Sequence, residues 1–321
     1  MAIVSALTLK RFQSWFSLLR EGMQVSTWSI SVFRSDWFLS DAPMHHKLTT
    51  PSLQASDVTD VPAEFVADPF LLEHKGEFYL FFEILNKASG QGEIGVATST
   101  DGITWTYRQV VLRESFHLSY PQVFIHNDNI YMVPETAESN RVLLYKAKNF
   151  PYEWEVASEL LEGKYLDPSL VVVDNKWWMF SGSEKGDLHI FHSEQLEGPW
   201  VEHPQSPVIT SNDMISRPGG RLVASDGHVY RYTQADYPHY GDSVRMFRVN
   251  TLNELHYEEE EVSLVLSGSQ KADCWRKDGM HHIDQLKLSD QQWLVAVDGH
   301  TFKNVNYVFW KLDRWKSKYF G

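Results

Sequence analysis

Four proline-anchored segments recur along this 321-residue chain at nearly constant spacing, and that spacing limits the fold more than any other feature. "ADPFLL" (67–72), "SYPQVFI" (119–125), "LDPSLVVV" (166–173) and "SRPGGRLV" (216–223) set Pro69, Pro121, Pro168 and Pro218 apart by 52, 47 and 50 residues. A fifth segment, "MHHIDQLKL" (280–288), holds the same place without a proline. Each is followed by a polar turn and an aromatic strand: "HKGEFYLFFE", "HNDNIYMVPE", "VDNKWWMFSG", "SDGHVYRYTQ" and "SDQQWLVAVDG". Asn, Asp and Gly between alternating apolar runs are what hairpins require. Third strands close on Trp105, Trp154, Trp200 and Tyr257, where an aromatic ring can fill the wedge between twisted neighbours. Variable strands such as "TYRQVVL" and "EVSLVLS" finish the unit.

A period near fifty residues is that of a radial array. Five such units predict an all-β, five-bladed β-propeller, in which closure of the ring protects the sheet edges. A β-sandwich would leave five units in phase unexplained. The last unit is one strand short, and "VSTWSISVFRSDWF" (25–38), which alternates like a strand, is expected to complete the fifth blade from the N-terminal side. Residues 25–321 are then read as one propeller domain and 1–24 as an N-terminal helix and linker. Phe12, Trp15, Phe16 and Leu19 follow the i, i+3, i+4, i+7 spacing of an amphipathic helix. It is expected to pack on the domain or a protein partner, with contact to a membrane surface through Lys10, Arg11 and Arg20 as the alternative.

Apolar residues at 43% and aromatics at 14% supply enough core for five blades. A formal charge of −13 sets an average field that repels phosphate backbones, so nucleic acid is excluded as a partner. No run of 18 apolar residues predicts a transmembrane segment. Lys10 and Arg11 follow the first apolar residues rather than precede them, unlike a signal peptide, so a cytoplasmic location is expected. The single cysteine, Cys274, allows no internal disulfide and reads as a buried thiol. Zinc-ligand spacing and the Walker and Rossmann glycine patterns are missing.

In a propeller the first strand of each blade lines the central channel, so the five opening segments converge on an axial pocket. Asp68 and Asp167 come from blades one and three, Tyr120 and Gln122 from blade two, Arg217 and Arg221 from blade four, and His281, His282 and Asp284 from blade five. Glu83, Glu135, Gln234 and Asp298 end second strands, with His300 just beyond. A carboxylate held there is costly unless paired, which favours a functional role. For Asp68 the competing role is an Asx-type turn at the strand opening. Paired carboxyl groups across a pocket suit glycosyl transfer, one as acid and one as base or nucleophile. The catalytic candidates are therefore Asp68, Glu83, Glu135 and Asp167. The substrate-binding candidates are Tyr120, Gln122, Arg217, Arg221, Gln234, Tyr240, His281 and Asp298, with Tyr237 a further ring for stacking on a sugar. Arg217 is expected to receive an anionic group. No cofactor is required; an axial divalent cation is the one metal the pocket could take. Adjacent residues of a strand point to opposite faces, so His281 rather than His282 is expected to face the channel. "STDGITW" (99–105) resembles the Asp-box of sialidases and is read as a turn, with Asp101 and Gly102 shaping the hairpin and Trp105 packing outside the channel.

The Asp-Pro motif on inner strands, the period and the third strands ending near Trp resemble five-bladed propellers of the superfamily that includes arabinanases, β-xylosidases, invertases and levansucrases. More closely, residues 25–312 resemble the propeller domain at the N-terminus of plant glucosamine inositolphosphorylceramide transferases and in proteins of bacterial polysaccharide loci. The matching residues are "ADPFLL" with "YLFFE", "SYPQVF" with "YMVPE", "LDPSLVVVDNKWWMF", "SRPGGRL" with "YRYTQ" and "HYG", and "DGMHH" with "VAVDG". The resemblance implies a saccharide setting and an axial site with Asp68 as base, Asp167 as a second aspartate tuning pKa values, and a glutamate acid. The chain departs from the hydrolase pattern in blade four, which opens on Arg217 and has no Glu-Cys motif. The reading is a carbohydrate-active enzyme that cleaves or transfers a glycosidic bond on an anionic saccharide or glycoconjugate, with Asp68 as base or nucleophile and Glu135 or Glu83 as acid. The alternatives are a non-catalytic saccharide-binding propeller beside a separate glycosyltransferase, and a protein-interaction scaffold.

Overall fold

A computed structural model describes residues 22–36, 48–225, 227–290 and 292–320. Strand β1 (Met23–Ser35) comes first in the chain but belongs to the last blade. Blade one is β2 (Ala63–His74), β3 (Glu77–Asn86), β4 (Gly92–Ser99) and β5 (Thr106–Leu112). Blade two is β6 (Ser119–His126), β7 (Asn129–Glu135), β8 (Arg141–Asn149) and β9 (Glu153–Glu162). Blade three is β10 (Leu166–Val173), β11 (Lys176–Gly182), β12 (Leu188–Ser193) and the short β13 (Val201–Glu202). Blade four is β14 (Val223–Ser225), β15 (His228–Gln234), β16 (Ser243–Leu252) and β17 (Tyr257–Ser267). In blade five the order is β18 (Ile283–Ser289), β19 (Gln292–Val305), then β1. The five-bladed propeller expected from the repeat is the fold.

Ring closure by an N-terminal strand also holds, with two differences. The strand runs over Met23–Ser35 rather than 25–38, and it stands third in a blade that has three strands among the described residues. Its ladder with β19 is antiparallel from Met23↔Val305 to Ser35↔Trp293. Residues 28–33 are buried without a break, Ile30 and Val32 in the cluster shared with blade one and Phe33 in that shared with blade four, so both faces of the strand are covered.

Five apolar clusters fill the five gaps between neighbouring blades. The aromatics expected to close the third strands stand instead at or just before the start of the fourth, in the gap toward the preceding blade. Trp154 of blade two meets Phe81 of blade one edge to face at 5.7 Å, and Tyr257 of blade four meets Phe180 of blade three at 5.7 Å. Trp200 and Trp105 join the clusters between blades two and three and between blades five and one. Asp101 shapes the turn before Trp105 by accepting hydrogen bonds from the backbone N–H groups of Ile103 and Thr104, both at 2.8 Å. Those N–H bonds hold its carboxyl well below the usual range.

The expected N-terminal helix over Phe12–Leu19 lies outside the described residues. The helix that is seen, α1 (Tyr307–Phe320), follows β19 and was not foreseen. Its start is capped by Asn306, whose Oδ1 accepts from the N–H groups of Val308 (3.0 Å) and Phe309 (3.3 Å). No described helix is long and apolar enough to cross a membrane.

Candidate functional site

The site is built on one backbone irregularity used three times. In blade one Ala67 pairs with Glu83 and Phe70 with Phe81, so the inner strand carries an extra residue. The same slip occurs between Ser119↔Glu135 and Gln122↔Val133, and between Leu166↔Gly182 and Ser169↔Phe180. Each is a β-bulge, and its first residue is left-handed: Asp68 (φ 53°), Tyr120 (φ 48°) and Asp167 (φ 50°). The proline that follows has no N–H to leave unpaired, which is why the motif reads Xaa-Pro. A left-handed tyrosine is strained. Its N–H is held by Asp68 Oδ2 (3.1 Å), and its hydroxyl accepts from Gly220 N–H (2.7 Å) and donates to Ser169 Oγ (2.7 Å).

Blade four makes its axial approach with glycine instead. A Cβ at Gly220 (φ 147°) would lie 1.9 Å from the Ile283 carbonyl oxygen, so only glycine lets blades four and five meet there.

Around the axis the carboxyl groups divide by environment. Asp298, fully buried, accepts four N–H bonds: from Asp68 N (3.0 Å), His281 N (3.2 Å), His282 N (3.0 Å) and His281 Nδ1 (2.8 Å). Burial would raise its pKa, but His281 and these donors outweigh burial and lower it. Burial would likewise lower His281, and Asp298 with Asp68 raises it instead. Asp68 Oδ1 stands 3.6 Å from His281 Nε2, and burial, reinforced by Asp298 and Asp167, pushes Asp68 up to about 7. Burial also pushes Glu135 up to about 8; Asp167, with which it shares a hydrogen bond, adds to the rise. Glu83, buried and near Asp68 and Glu135, is raised well above the carboxylate range. One group of acids is thus poised to be protonated near neutrality, while the Asp298–His281 pair is held charged.

Arg217 is matched by carboxylates on every side. Its Nε donates to Asp167 Oδ2 at 2.5 Å, and its terminal nitrogens lie 3.6 Å from Glu135 Oε2 and 3.6 Å from Asp236 Oδ2. Arg217, expected to receive an anionic group, is thus already engaged by Asp167. Gln234 donates from Nε2 to the same Asp167 oxygen (2.8 Å) and to Pro218 O (2.8 Å), so it positions Asp167. Tyr240 is half-exposed, with the Arg217 guanidinium 5.2 Å from its ring centre. Tyr237 is also exposed.

Three expected binding residues are placed otherwise. Tyr120 and Gln122 are buried, and Arg221 lies further along the inner strands toward the opposite face. Gln122 spends its amide on Leu170, donating to its O (2.9 Å) and accepting from its N (2.7 Å). Arg221 forks onto Asp284 (2.8 and 3.2 Å) and donates to Val123 O (3.0 Å) and Leu71 O (3.1 Å). Through these bonds Gln122 and Arg221 brace the inner strands. The separation of His281 from His282 also fails, because both precede β18 and strand alternation does not apply. Both rings approach Asp68 Oδ1, at 3.6 and 3.7 Å. Burial drives His282 down to about 4, and its ring nitrogens have no hydrogen-bond partner among the described residues.

Asp68, His281 and Asp298 bring donor atoms within 4.8 Å of one another, the geometry an axial cation would need. Both Asp298 oxygens already accept N–H bonds, which leaves Asp68 and His281 Nε2 as the groups that could hold such an ion.

Three residues of the site fall outside the expected set. Trp28, from the closing strand, stacks between His281 (4.0 Å) and His300 (4.3 Å). His117 presents Nε2 to Glu83 Oε1 at 3.4 Å, its Nδ1 accepting from Gly92 N–H. Asp236 flanks Arg217. A cleft of about 410 Å³ reaches this region, lined by His117, Glu135, Glu138, Lys164 and Glu184. A larger one of about 710 Å³ lies at the rim between β1 and α1. It lacks a convergent set of buried acids, so the axial site is the stronger candidate.

Residues 24–300 match the family model described as glucosamine inositolphosphorylceramide transferase 1, N-terminal. The chain belongs to this family. Glucosamine inositolphosphorylceramide transferase 1 of Oryza sativa subsp. japonica is 38% identical over 248 residues, covering 74% of this chain and 33% of the relative. The Arabidopsis thaliana protein of the same name is 33% identical over 296 residues, covering 85% and 39%. The chain therefore spans between a third and two-fifths of the length of these relatives. Among solved structures, a mutant α-L-arabinanase of Cellvibrio cellulosa aligns with a TM-score of 0.54 at 14% identity, covering 74% of this chain and 91% of that one. An α-L-arabinofuranosidase of Clostridium thermocellum aligns with 0.52 at 12%, covering 71% and 80%. These likenesses show a shared fold. Within the transferase N-terminal family, the bulge residues Asp68, Tyr120 and Asp167 of this chain all fall inside the matched region.

The raised acids carry a stability consequence. Below about pH 4.5 Glu135 is protonated folded and unfolded alike; between there and pH 8 only the folded chain keeps its proton, so its contribution falls as pH rises through that window. Glu135→Gln is expected to be more stable than the parent by about 2 kcal/mol at pH 8, with the gap closing toward pH 5. Urea denaturation at the two pH values checks this. A variant equally destabilised at both would contradict the protonated state assigned to Glu135.

Proposed function

We propose that the axial pocket binds the sugar of a glycoconjugate and cleaves or transfers a glycosidic bond. Glu135 serves as the acid and Asp68 as the base or nucleophile. The observation that carries this reading is the division of the buried carboxyl groups: Glu135, pushed up to about 8, retains a proton to donate, and Asp68, near 7, is poised to take one at neutral pH. Asp167, held between Arg217 and Gln234, orients the acid. His281, clamped by Asp298 and stacked on Trp28, faces the base. Half-exposed Tyr240 offers its ring to a sugar face. The names of the relatives and the saccharide-acting enzymes that share the fold support a carbohydrate ligand. Because carboxylates surround Arg217, a neutral or amino sugar suits the pocket better than the anionic one first expected.

A specific observation favours a second reading, a saccharide-binding module. Blade four offers Arg217, engaged with Asp167, at its opening position, and no acid stands there. A thermal-shift screen against neutral sugars, amino sugars and uronates, followed by chromatography of each ligand after incubation, separates the two, since a ligand of the folded state raises its stability. On the enzymatic reading Asp68→Asn lowers turnover on the order of a hundredfold or more while binding changes little. A sugar that binds and is recovered unchanged would replace that reading with the binding module. Turnover that survives in Asp68→Asn would remove Asp68 from its role.

A further inference from the structure

Helix α1 turns an aromatic face to solvent. Phe309 is 72% exposed, Leu312 45%, Trp315 52%, Tyr319 60% and Phe320 78%. At about 100° per residue these five side chains fall within one arc of roughly 140°, with Lys316 among them. The opposite side is fixed to the propeller rim. Trp310 Nε1 donates to Glu64 Oε1 (2.6 Å) and Arg314 pairs with Glu64 Oε2 (2.8 Å), while Asp313, at the edge of the arc, pairs with Lys87 (3.1 Å). The helix therefore cannot roll its apolar arc inward without breaking these contacts.

Charge identifies what covers the arc. In a chain of net charge −13, α1 carries Lys311, Arg314, Lys316 and Lys318 against the single acid Asp313. Lys311, Lys316 and Lys318 have no carboxylate partner among the described residues. Lys311 Nζ lies 5.3 Å from the Trp310 ring centre and Lys318 Nζ 5.8 Å from that of Tyr319, so the ammonium groups rest over aromatic rings of the same helix, on flexible stems that can carry them to a nearby anion. We propose that α1 docks this protein on an anionic lipid bilayer surface, its aromatic arc entering the headgroup region and its lysines meeting the lipid phosphates and carboxylates. Trp and Tyr favour that depth, and basic side chains on such a helix add attraction to anionic lipid. The acidic body does not cancel the attraction, because at physiological ionic strength charges farther than about 8 Å are largely screened. A second copy fits less well, since a two-fold contact through this arc would bring the two lysine sets together.

The test is sedimentation of the full chain with vesicles of phosphatidylcholine alone or mixed with phosphatidylserine. The expected result is binding on the order of tenfold or more tighter to the mixed vesicles, weakened by added salt. The triple variant Lys311→Glu/Lys316→Glu/Lys318→Glu and the double variant Trp315→Ser/Phe320→Ser should each lose most of that binding while their thermal transitions stay those of the parent. Absence of vesicle binding, or binding that neither lipid charge nor the variants alter, overturns the proposal. So does a concentration-dependent dimer in sedimentation velocity that the double variant abolishes, which would assign the arc to a second copy.

Discussion

Arg221→Ala is expected to destabilise the folded chain by about 3–5 kcal/mol, the range for breaking a buried ion pair from one side. Asp284 has no solvent exposure and would be left as a buried charge whose only remaining donor of those named is Leu71 N–H, at 2.7 Å. The same change strips donors from Val123 O and Leu71 O, so strands from blades one, two, four and five lose a common tie. Equilibrium urea unfolding followed by tryptophan fluorescence measures the loss. The double variant Arg221→Met/Asp284→Leu should recover a good part of it, because no charge is then stranded. A loss below about 1 kcal/mol would mean that the bridge behaves like a solvent-screened surface pair.

A larger effect is expected from removing residues 22–36. Trp28, Ile30, Val32 and Phe33 are all buried, and at about 1.5–3 kcal/mol each their contribution is comparable with the whole net stability of a typical domain, about 5–15 kcal/mol. Deletion would also bare the long edge of β19, an open template for association. The truncated chain should show no cooperative thermal transition, and a peptide of residues 22–36 added in trans should restore one. A truncated chain that melts cooperatively on its own would show that the ring does not need this strand.

The blade repeat was legible because blades one to four share the same local chemistry, a proline, a polar turn, an aromatic strand and a closing ring such as Trp154, and blade five keeps the turn and the aromatic strand. What repetition could not convey is depth. Periodicity places Asp68, Gln122 and Arg221 alike on the axial face, but how far each lies along its strand decides whether it meets the pocket or another blade. Gln122 found Leu170 and Arg221 found Asp284, partners set by the assembled ring. Trp28 escaped notice for a related reason, as its stacking partners His281 and His300 are reached only when the ring closes. The bulges were hidden in plain sight: "DP", "YP" and "DP" mark them, yet a left-handed tyrosine contradicts local preference and is carried by the bonds to Asp68, Ser169 and Gly220. Helix α1 was legible in the spacing of Phe309, Leu312, Lys316 and Tyr319 and in the Asn306 cap, signals masked by the strand pattern before them.

Because β1 pairs with β19, the earlier strand must wait for more than 250 further residues to emerge before it finds its place. Blades one to four can collapse as they appear, whereas contacts across so long a stretch of chain form slowly. His281, Asp298 and Trp28 all belong to the late-closing blade, so a nascent chain holds Asp68 and Glu135 without the groups that complete their surroundings. The surroundings of Asp68 and Glu135 are thereby completed only once β19 has emerged and β1 has paired with it.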